Sequence, residues 1–263
     1  MLTSIKNPLI KTIRKLHTGK HRKAQNLQLL EGTNLVAAAC EVGYPLEVVC
    51  YTESWREKHA ALFSQIEQLA ERTELVSPYV FEAIALTKTP DGVSAIAPRF
   101  PSSEINLSEI RLGLILEQIQ DPGNMGTMIR TAAATGVDQI WAGEKSVEFD
   151  HPKVLRSSVG ACFRVGMQVE TDLLGLIQDF PGQVIATLPT AEKTYWEVDF
   201  LQPTLILLGN EGAGLSPTLR NAAQEQVQIP VERGVESLNA SIAASLLLYE
   251  RKRQESDQLP NNK

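Results

Sequence analysis

IPVERGVESLNASIAASLLLYE, residues Ile229 to Glu250, joins the end of a strand, a polar loop and the start of a long helix in one continuous run. Val227 and Ile229 close an apolar strand, Pro230 breaks it, Gly234 sits in the loop, and Ser237 stands where a helix N-cap is expected ahead of an apolar and small-residue run. Backbone N–H groups at such a helix start are unpaired and point outward, so the junction can hold a carboxylate or turn polar groups toward a reacting hydroxyl. Ser237 and Asn239 are its polar side chains; the plainer alternative is that Ser237 only caps, Asn239 only fills the first turn, and Ala240, Ala243 and Ala244 only pack.

Upstream, from residue 109, apolar strands alternate with helices: LGLILEQI, then NMGTMIRTAAAT, DQIWAG, PKVLRSSVGA, GMQVE, LLGLIQDF, QVIATLP, TLILLGN and QVQIP. Near-continuous apolar strands interleaved with helices predict an α/β domain built on a parallel sheet covered on both faces. Ligands of such sheets lie beyond the carboxyl ends of strands, which singles out two further junctions. In LEQIQDPGNMGTMIRTAAATG, a turn at Asp121-Pro122-Gly123-Asn124 precedes a helix whose one charge is Arg130. Asn124, Thr127 and Arg130 are spaced by three and share one helix edge. A lone Arg among small and apolar residues needs an anionic partner or water, and its fork suits a phosphate; a structural pairing with an acidic neighbour is the alternative. In LILLGNEGAGLS, Glu211 stands among Gly209, Gly212 and Gly214 directly after a strand. The order G-x-x-G-x-G is neither a dinucleotide fingerprint nor a P-loop, and glycine there lets backbone approach a flat polar ligand.

Taken together, DPGNMGTMIRTA, LLGNEGAGLS and IPVERGVESLNASIAASLLLYE resemble, in order and spacing, the signature motifs of the SpoU, or TrmH, family of RNA ribose 2′-O-methyltransferases within the knotted SPOUT superfamily. The resemblance spans about Leu112 to Glu250, with a loop at residues 232–236 more charged than in many members. QLLEGTNLV and LTKTPDGVSAIA resemble the family's front, ribosomal-protein L30e-like substrate-binding domain. The resemblance implies S-adenosylmethionine as methyl donor, held by Gly209, Ile229 and Leu238 with the strand end Thr187-Leu188-Pro189 alongside. It makes Asn124, Arg130, Glu211, Ser237 and Asn239 the active-site polar residues, requires no metal, and implies a trefoil knot and a homodimer. Ser237 and Asn239 would orient the ribose and Glu211 would fix Arg130 or its own loop. Guanidinium stays protonated in proteins, so Arg130 reads as a phosphate clamp and electrostatic stabiliser, with a role as base left open.

The front of the chain is a smaller α/β region. Residues 4–23 place Ile5, Leu9, Ile13 and Leu16 at helical spacing with Lys6, Lys11, Arg14 and Lys15 on other faces; a strand, a Glu31-Gly32 turn, a helix ending at Gly43, the strand PLEVVCYT, helical periodicity over residues 59–71, a short helix and a last strand follow. Met1 to Leu30 carry seven Lys or Arg and no Asp or Glu, although the whole chain has net charge −6. That contrast predicts a local anion-binding surface, against the alternative of a merely solvated helix face. The expected division is residues 1–98 for RNA, a Pro- and Ser-rich linker at 99–108, a methyl-transfer domain at 109–252 and a disordered polar tail at 253–263. Three widely separated cysteines without CxxC, no signal-peptide core and no membrane-length apolar run point to a reducing cytoplasm. Ribosomal RNA is the expected substrate ahead of tRNA. The rival class is a noncatalytic RNA-binding or ribosome-assembly factor, against which the full set of polar residues speaks; a nucleotide-dependent oxidoreductase lacks its fingerprint.

Overall fold

Two separate sheets organise the chain in the computed structural model, which describes residues 1–101 and 104–258. The chain divides into two compact units, Met1–Pro101 with Glu148–Phe163, and Ser102–Val147 with Arg164–Lys263.

The front unit begins with helices α1 (Pro8–Lys15) and α2 (Gly19–Gln25), followed by β1 (Leu27–Glu31), α3 (Thr33–Glu41), β2 (Leu46–Tyr51), α4 (Glu53–Lys58), α5 (Ala60–Leu69), β3 (Ala70–Leu75), α6 (Pro78–Ile84) and β4 (Val93–Pro98). Its sheet runs β1-β4-β2-β3; β4 is antiparallel to both neighbours, and β3 is parallel to β2. Ile10, Ile13 and Leu16, the apolar edge of α1, pack with Val80, Phe81 and Ile84 of α6 over Leu29 and Ile96 of the sheet. Full burial of each such side chain contributes about 1.5–3 kcal/mol relative to exposure. Residues 4–23 form two helices, not one. Asn7 accepts from the Leu9 N–H and Pro8 occupies the first turn, which starts α1 late, and a turn at residues 16–18 separates it from α2.

The second unit supplies β5 (Leu112–Leu116), α7 (Pro122–Thr135) and β6 (Gln139–Gly143); after it α8 (Pro152–Ser158) packs with β1 of the front unit. The second unit resumes with β7 (Gly166–Glu170), α9 (Leu173–Asp179), β8 (Gln183–Leu188), β9 (Lys193–Thr194), β10 (Thr204–Leu208), α10 (Pro217–Ala222), β11 (Glu225–Gln228) and α11 (Ala240–Gln258). All seven strands are parallel, in the order β7-β6-β5-β10-β8-β11-β9. β5 and β10 are buried along their whole length at the centre, as strands covered on both faces must be. Ile115, Trp141, Val184 and Leu205 meet Leu173 and Ile177 of α9 and Leu219 of α10 in one core, while α11 packs along α7, where Thr131 and Ser245 share a hydroxyl hydrogen bond at 3.2 Å.

Several expectations shift. The periodicity over residues 59–71 ends at Leu69, and the polar AERTEL that follows is the edge strand β3. The stretch Glu148–Phe163, read as part of the methyl-transfer domain, belongs to the front unit. Arg22 is almost fully buried there, donating to Glu148 at 2.6 Å and to the carbonyls of Leu16 and His17 in the turn after α1. Asp150, also buried, lies 3.2 Å from Arg22 Nε and 2.6 Å from Arg99 Nε. A guanidinium taken out of water is tolerable only with such counter-charges. Of the tail, residues 253–258 continue α11, tied by Arg253 to Glu250 and Asp257; residues 259–263, like Ser102 and Ser103 of the expected linker, lie outside the described residues.

Candidate active site

Three parallel strands, β8, β10 and β11, end at the same edge of the second unit's sheet, and the loops leaving them enclose a cleft of about 380 Å³. That volume suits a small organic ligand. Thr187, Leu188 and Pro189 come from the end of β8, Gly209 and Glu211 from the loop after β10, and Ile229, Ser237 and Leu238 from the loop after β11. All six residues expected at a donor site therefore line one cavity. The charged side chains among its walls are Glu211 and Glu236, both acidic. The hydroxyl oxygen of Thr187 is buried there without a hydrogen-bond partner, a cost a bound polar ligand would relieve.

The loop after β10 is a small closed hairpin. Asn210 and Gly214 exchange backbone hydrogen bonds at 3.1 and 2.9 Å, and Asn210 Oδ1 accepts from the N–H groups of Gly212 and Ala213, both at 2.9 Å. Asn210 Nδ2 reaches the carbonyl of Gln118, itself held at φ +57°. The glycines serve this closure: Gly214 has φ +68°, and a Cβ on Gly209 would fall inside the backbone of Gly214 and Leu215. At Gly212 a Cβ would meet only Asn210 Oδ1, at an ordinary 3.6 Å, and the left-handed φ at Gly214 rather than crowding is what calls for glycine there. Glycine density here thus builds the hairpin that presents Glu211, and the same three glycines line the cleft.

The loop after β11 starts α11 at Ala240. Asn239, and not Ser237, is the cap: its Oδ1 accepts from the Ser241 N–H at 2.9 Å, and its carbonyl from Ile242 and Ala243. Ser237 is exposed on the cleft wall and makes no hydrogen bond among the described residues. Asn239 Nδ2 donates to Asn124 Oδ1 at 2.9 Å, and Asn124 Nδ2 donates to Glu211 Oε1 at 3.0 Å. Asn124 is itself placed by Asp121, whose carboxylate caps α7 by accepting the Asn124 N–H at 2.8 Å. One side chain from each of the three junctions thereby meets in a single chain of hydrogen bonds.

Arg130 stands apart. It is exposed on α7, six residues or roughly 9 Å of helix rise beyond Asn124, does not line the cleft, and forms no ion pair with Glu211. Of the two expectations for Glu211, fixing Arg130 or fixing its own loop, the first has no contact behind it: the carboxylate accepts from Asn124, which ties the β10 loop to α7. Sequence reasoning also missed three residues that shape the site. Asn210 closes the hairpin, Glu117 accepts the Ser216 N–H at 2.7 Å, and Ser241 donates to Asn239 Oδ1 at 2.6 Å. The Asn-Glu-Gly-Ala turn signature was a usable signal for the first.

A family described as the SpoU rRNA Methylase family matches residues 111–249, and one described as the MRM3-like substrate binding domain matches residues 7–95. An uncharacterised tRNA/rRNA methyltransferase of Synechocystis sp. is 42% identical over 97% of this chain and 94% of its own length. The 23S rRNA (guanosine(2553)-2′-O)-methyltransferase RlmP of Bacillus subtilis is 31% identical over 94% of this chain and 97% of its own. Among solved structures, an RNA 2′-O ribose methyltransferase superposes with TM-score 0.83 at 33% identity, covering 97% of this chain and 99% of that one. An AdoMet-bound rRNA methyltransferase from Sinorhizobium meliloti superposes with TM-score 0.85 at 28% identity, covering 98% of each chain. With a family match over more than half of the chain and a relative 42% identical along nearly all of it, the chain belongs to the SpoU rRNA methylase family.

Proposed function

We propose that this protein methylates a ribose 2′-hydroxyl of ribosomal RNA with S-adenosylmethionine as donor. The observation that carries the reading is the meeting of Asn124, Glu211 and Asn239 beside a cleft walled by the ends of β8, β10 and β11. The donor, when bound, supplies an electrophilic methyl on a positively charged sulfur. The residues present fit it: the wall offers the unpartnered Thr187 hydroxyl, exposed loop backbone, and two carboxylates and no cation among its charged side chains. Gly209, Ile229 and Leu238 would hold the donor with the strand end Thr187-Leu188-Pro189. Ser237 would orient the ribose at the cleft mouth, and Arg130, further along α7, would clamp an adjoining phosphate.

The front unit would take the RNA backbone. Lys6, Lys11, Arg14, Lys15 and Lys20 are exposed on and around α1 and α2 without an ion-pair partner among the described residues, because the nearby acids Glu148 and Asp150 are engaged by Arg22, Lys23 and Arg99. Neutralising RNA phosphates releases counterions, so binding through this face weakens as salt rises.

A homodimer belongs to the same proposal. Ile242, Leu246 and Tyr249 form a stripe on α11 that is 51%, 36% and 55% exposed, at the spacing of one helix face. Leu246→Glu with Tyr249→Glu would leave a monomer by analytical ultracentrifugation. The trefoil threading is supported by the strand order, with β10 between β5 and β8 and β11 outside β8. No helix among the described residues is long and apolar enough to cross a membrane, and a cytoplasmic location follows from the proposed substrate.

Ribose-methylation mapping of total RNA from cells with and without the gene tests the reading. One 2′-O-methyl mark in rRNA should vanish with the gene. A lost mark confined to tRNA would reassign the substrate, and binding of donor and RNA with no mark lost would make the protein a noncatalytic factor.

A further inference from the structure

The hydrogen-bond chain that ends on Glu211 has only one possible direction. The Ser241 backbone N–H can only donate, so the atom of Asn239 facing it at 2.9 Å is Oδ1, and the Asn239 amide nitrogen must face Asn124. Asn124 answers with Oδ1 and has only its amide nitrogen left for Glu211 Oε1. Flipping either amide would set donor against donor or acceptor against acceptor. Ser241 Oγ, buried 2.6 Å from Asn239 Oδ1 and 3.5 Å from Asn124 Oδ1, is free to donate and so accommodates the sense that the backbone N–H sets. The carboxylate of Glu211 is gripped through one oxygen, while Oε2 has no hydrogen bond or ion pair among the described residues and the side chain forms part of the cleft wall.

The other groups near the cleft are less suited to accept a proton. Arg130 lies roughly 9 Å of helix rise from Asn124, and a guanidinium stays protonated. Glu236 lines the cleft, yet no hydrogen bond among the described residues orients its carboxylate. Ser237 carries only a hydroxyl, which is not a base in its neutral form. We propose that Glu211, through its free carboxylate oxygen, is the catalytic proton acceptor, and that Asn124, Asn239 and Ser241 are positioning residues that hold it. The assignment rests on the methyl-transfer reading above. In the step, the ribose 2′-O–H bond breaks and its proton passes to Glu211. The 2′-oxygen forms a new bond to the methyl carbon, and the carbon–sulfur bond breaks with its electron pair kept by sulfur, which becomes a neutral thioether.

Glu211→Gln separates this role from a structural one, because a glutamine oxygen still accepts from Asn124 but takes up no proton. The test uses the full chain, unmodified rRNA from cells lacking the gene, and S-adenosylmethionine. It records the single-turnover rate across pH, donor affinity by calorimetry, and Tm. The expected result is a rate lowered by about 10²-fold or more, a wild-type acid limb in the pH–rate profile that is absent from the variant, and unchanged donor affinity and Tm. Glu211→Asp, which keeps the carboxylate but shortens its reach, should lose less rate and retain the acid limb. A wild-type rate in Glu211→Gln overturns the proposal, as does a loss matched by lost donor binding, or a loss found in Glu236→Gln instead. Failure of the wild-type protein to methylate rRNA would sink the functional reading itself; transfer by the wild type with an unaffected Glu211→Gln would sink only this assignment.

Discussion

Asn239 and Asn124, 115 residues apart in sequence, are joined by a 2.9 Å hydrogen bond that ties the start of α11 to the first turn of α7. The same Asn239 caps α11, so one side chain sets both a helix boundary and the polar chain leading to Glu211. These duties separate by substitution. Asn239→Ala should cost about 1 kcal/mol of stability through the lost cap. Asn239→Asp keeps the cap acceptor but turns an oxygen toward Asn124 Oδ1. It should therefore unfold near the wild-type denaturant midpoint while methyl transfer falls about tenfold, the worth of one misplaced hydrogen bond.

Arg130→Ala should abolish methyl transfer while leaving donor affinity largely intact, since the guanidinium lies away from the cleft wall. Calorimetry with the donor and a transfer assay with rRNA check the two halves. Near-normal turnover would refute the clamp.

The two glycines of the β10 hairpin should respond differently. Gly209→Ala drives a methyl into the Gly214–Leu215 backbone and should open the loop, with donor binding lost and Tm lowered. Gly212→Ala meets nothing closer than Asn210 Oδ1 at 3.6 Å and should leave Tm near wild type. Equal melting temperatures for both variants would contradict the closed hairpin.

Acid stability should depend on Glu148. Its partial burial pushes the carboxyl up, but the Lys23 ammonium and the Arg22 guanidinium outweigh this and hold it below the usual value of 4.5. A depressed carboxylate contributes stability that is full above its unfolded value and lost as pH falls through the folded one. The gap in unfolding free energy between wild type and Glu148→Gln should therefore be widest near neutrality and close as pH falls below the usual carboxylate range. Asp150→Asn removes the carboxylate that Arg22 and Arg99 share but leaves Arg22 its Glu148 partner, so by urea titration at neutral pH it should cost less than Asp150→Asn and Glu148→Gln combined.

The thiols should be sluggish. Burial pushes Cys50 up to about 12 and Cys162 up to about 11, and raises half-buried Cys40 as well. Ellman's reagent at mildly alkaline pH should label the native protein slowly and all three cysteines at once on unfolding.

Much of this molecule is written locally. LGLIL and TLILL are apolar throughout because both faces of a central parallel strand are covered, and Asp121-Pro122 marks a helix start whose cap the structure contains. The polar strand AERTEL escaped because an edge strand needs little apolar side chain, and the preceding helix ends without a breaking residue. Ser237 and Asn239 are both good capping residues, so only the path of the loop decides between them. The six cleft residues could be named from motifs. The distance of Arg130 from that cleft could not, since residue spacing fixes a helix edge but not what faces it.

The detour of Glu148–Phe163 into the front unit makes the protein indivisible by a single cut. A fragment ending before Ile110 would keep Arg22 but lack Glu148 and Asp150, leaving a positive charge entombed without its counterions. Exchange of only the leading portion between relatives would break the same bond of dependence. Neither compact unit is therefore encoded by one continuous stretch of chain, and the front one is complete only after a segment made well after Pro101 has joined it.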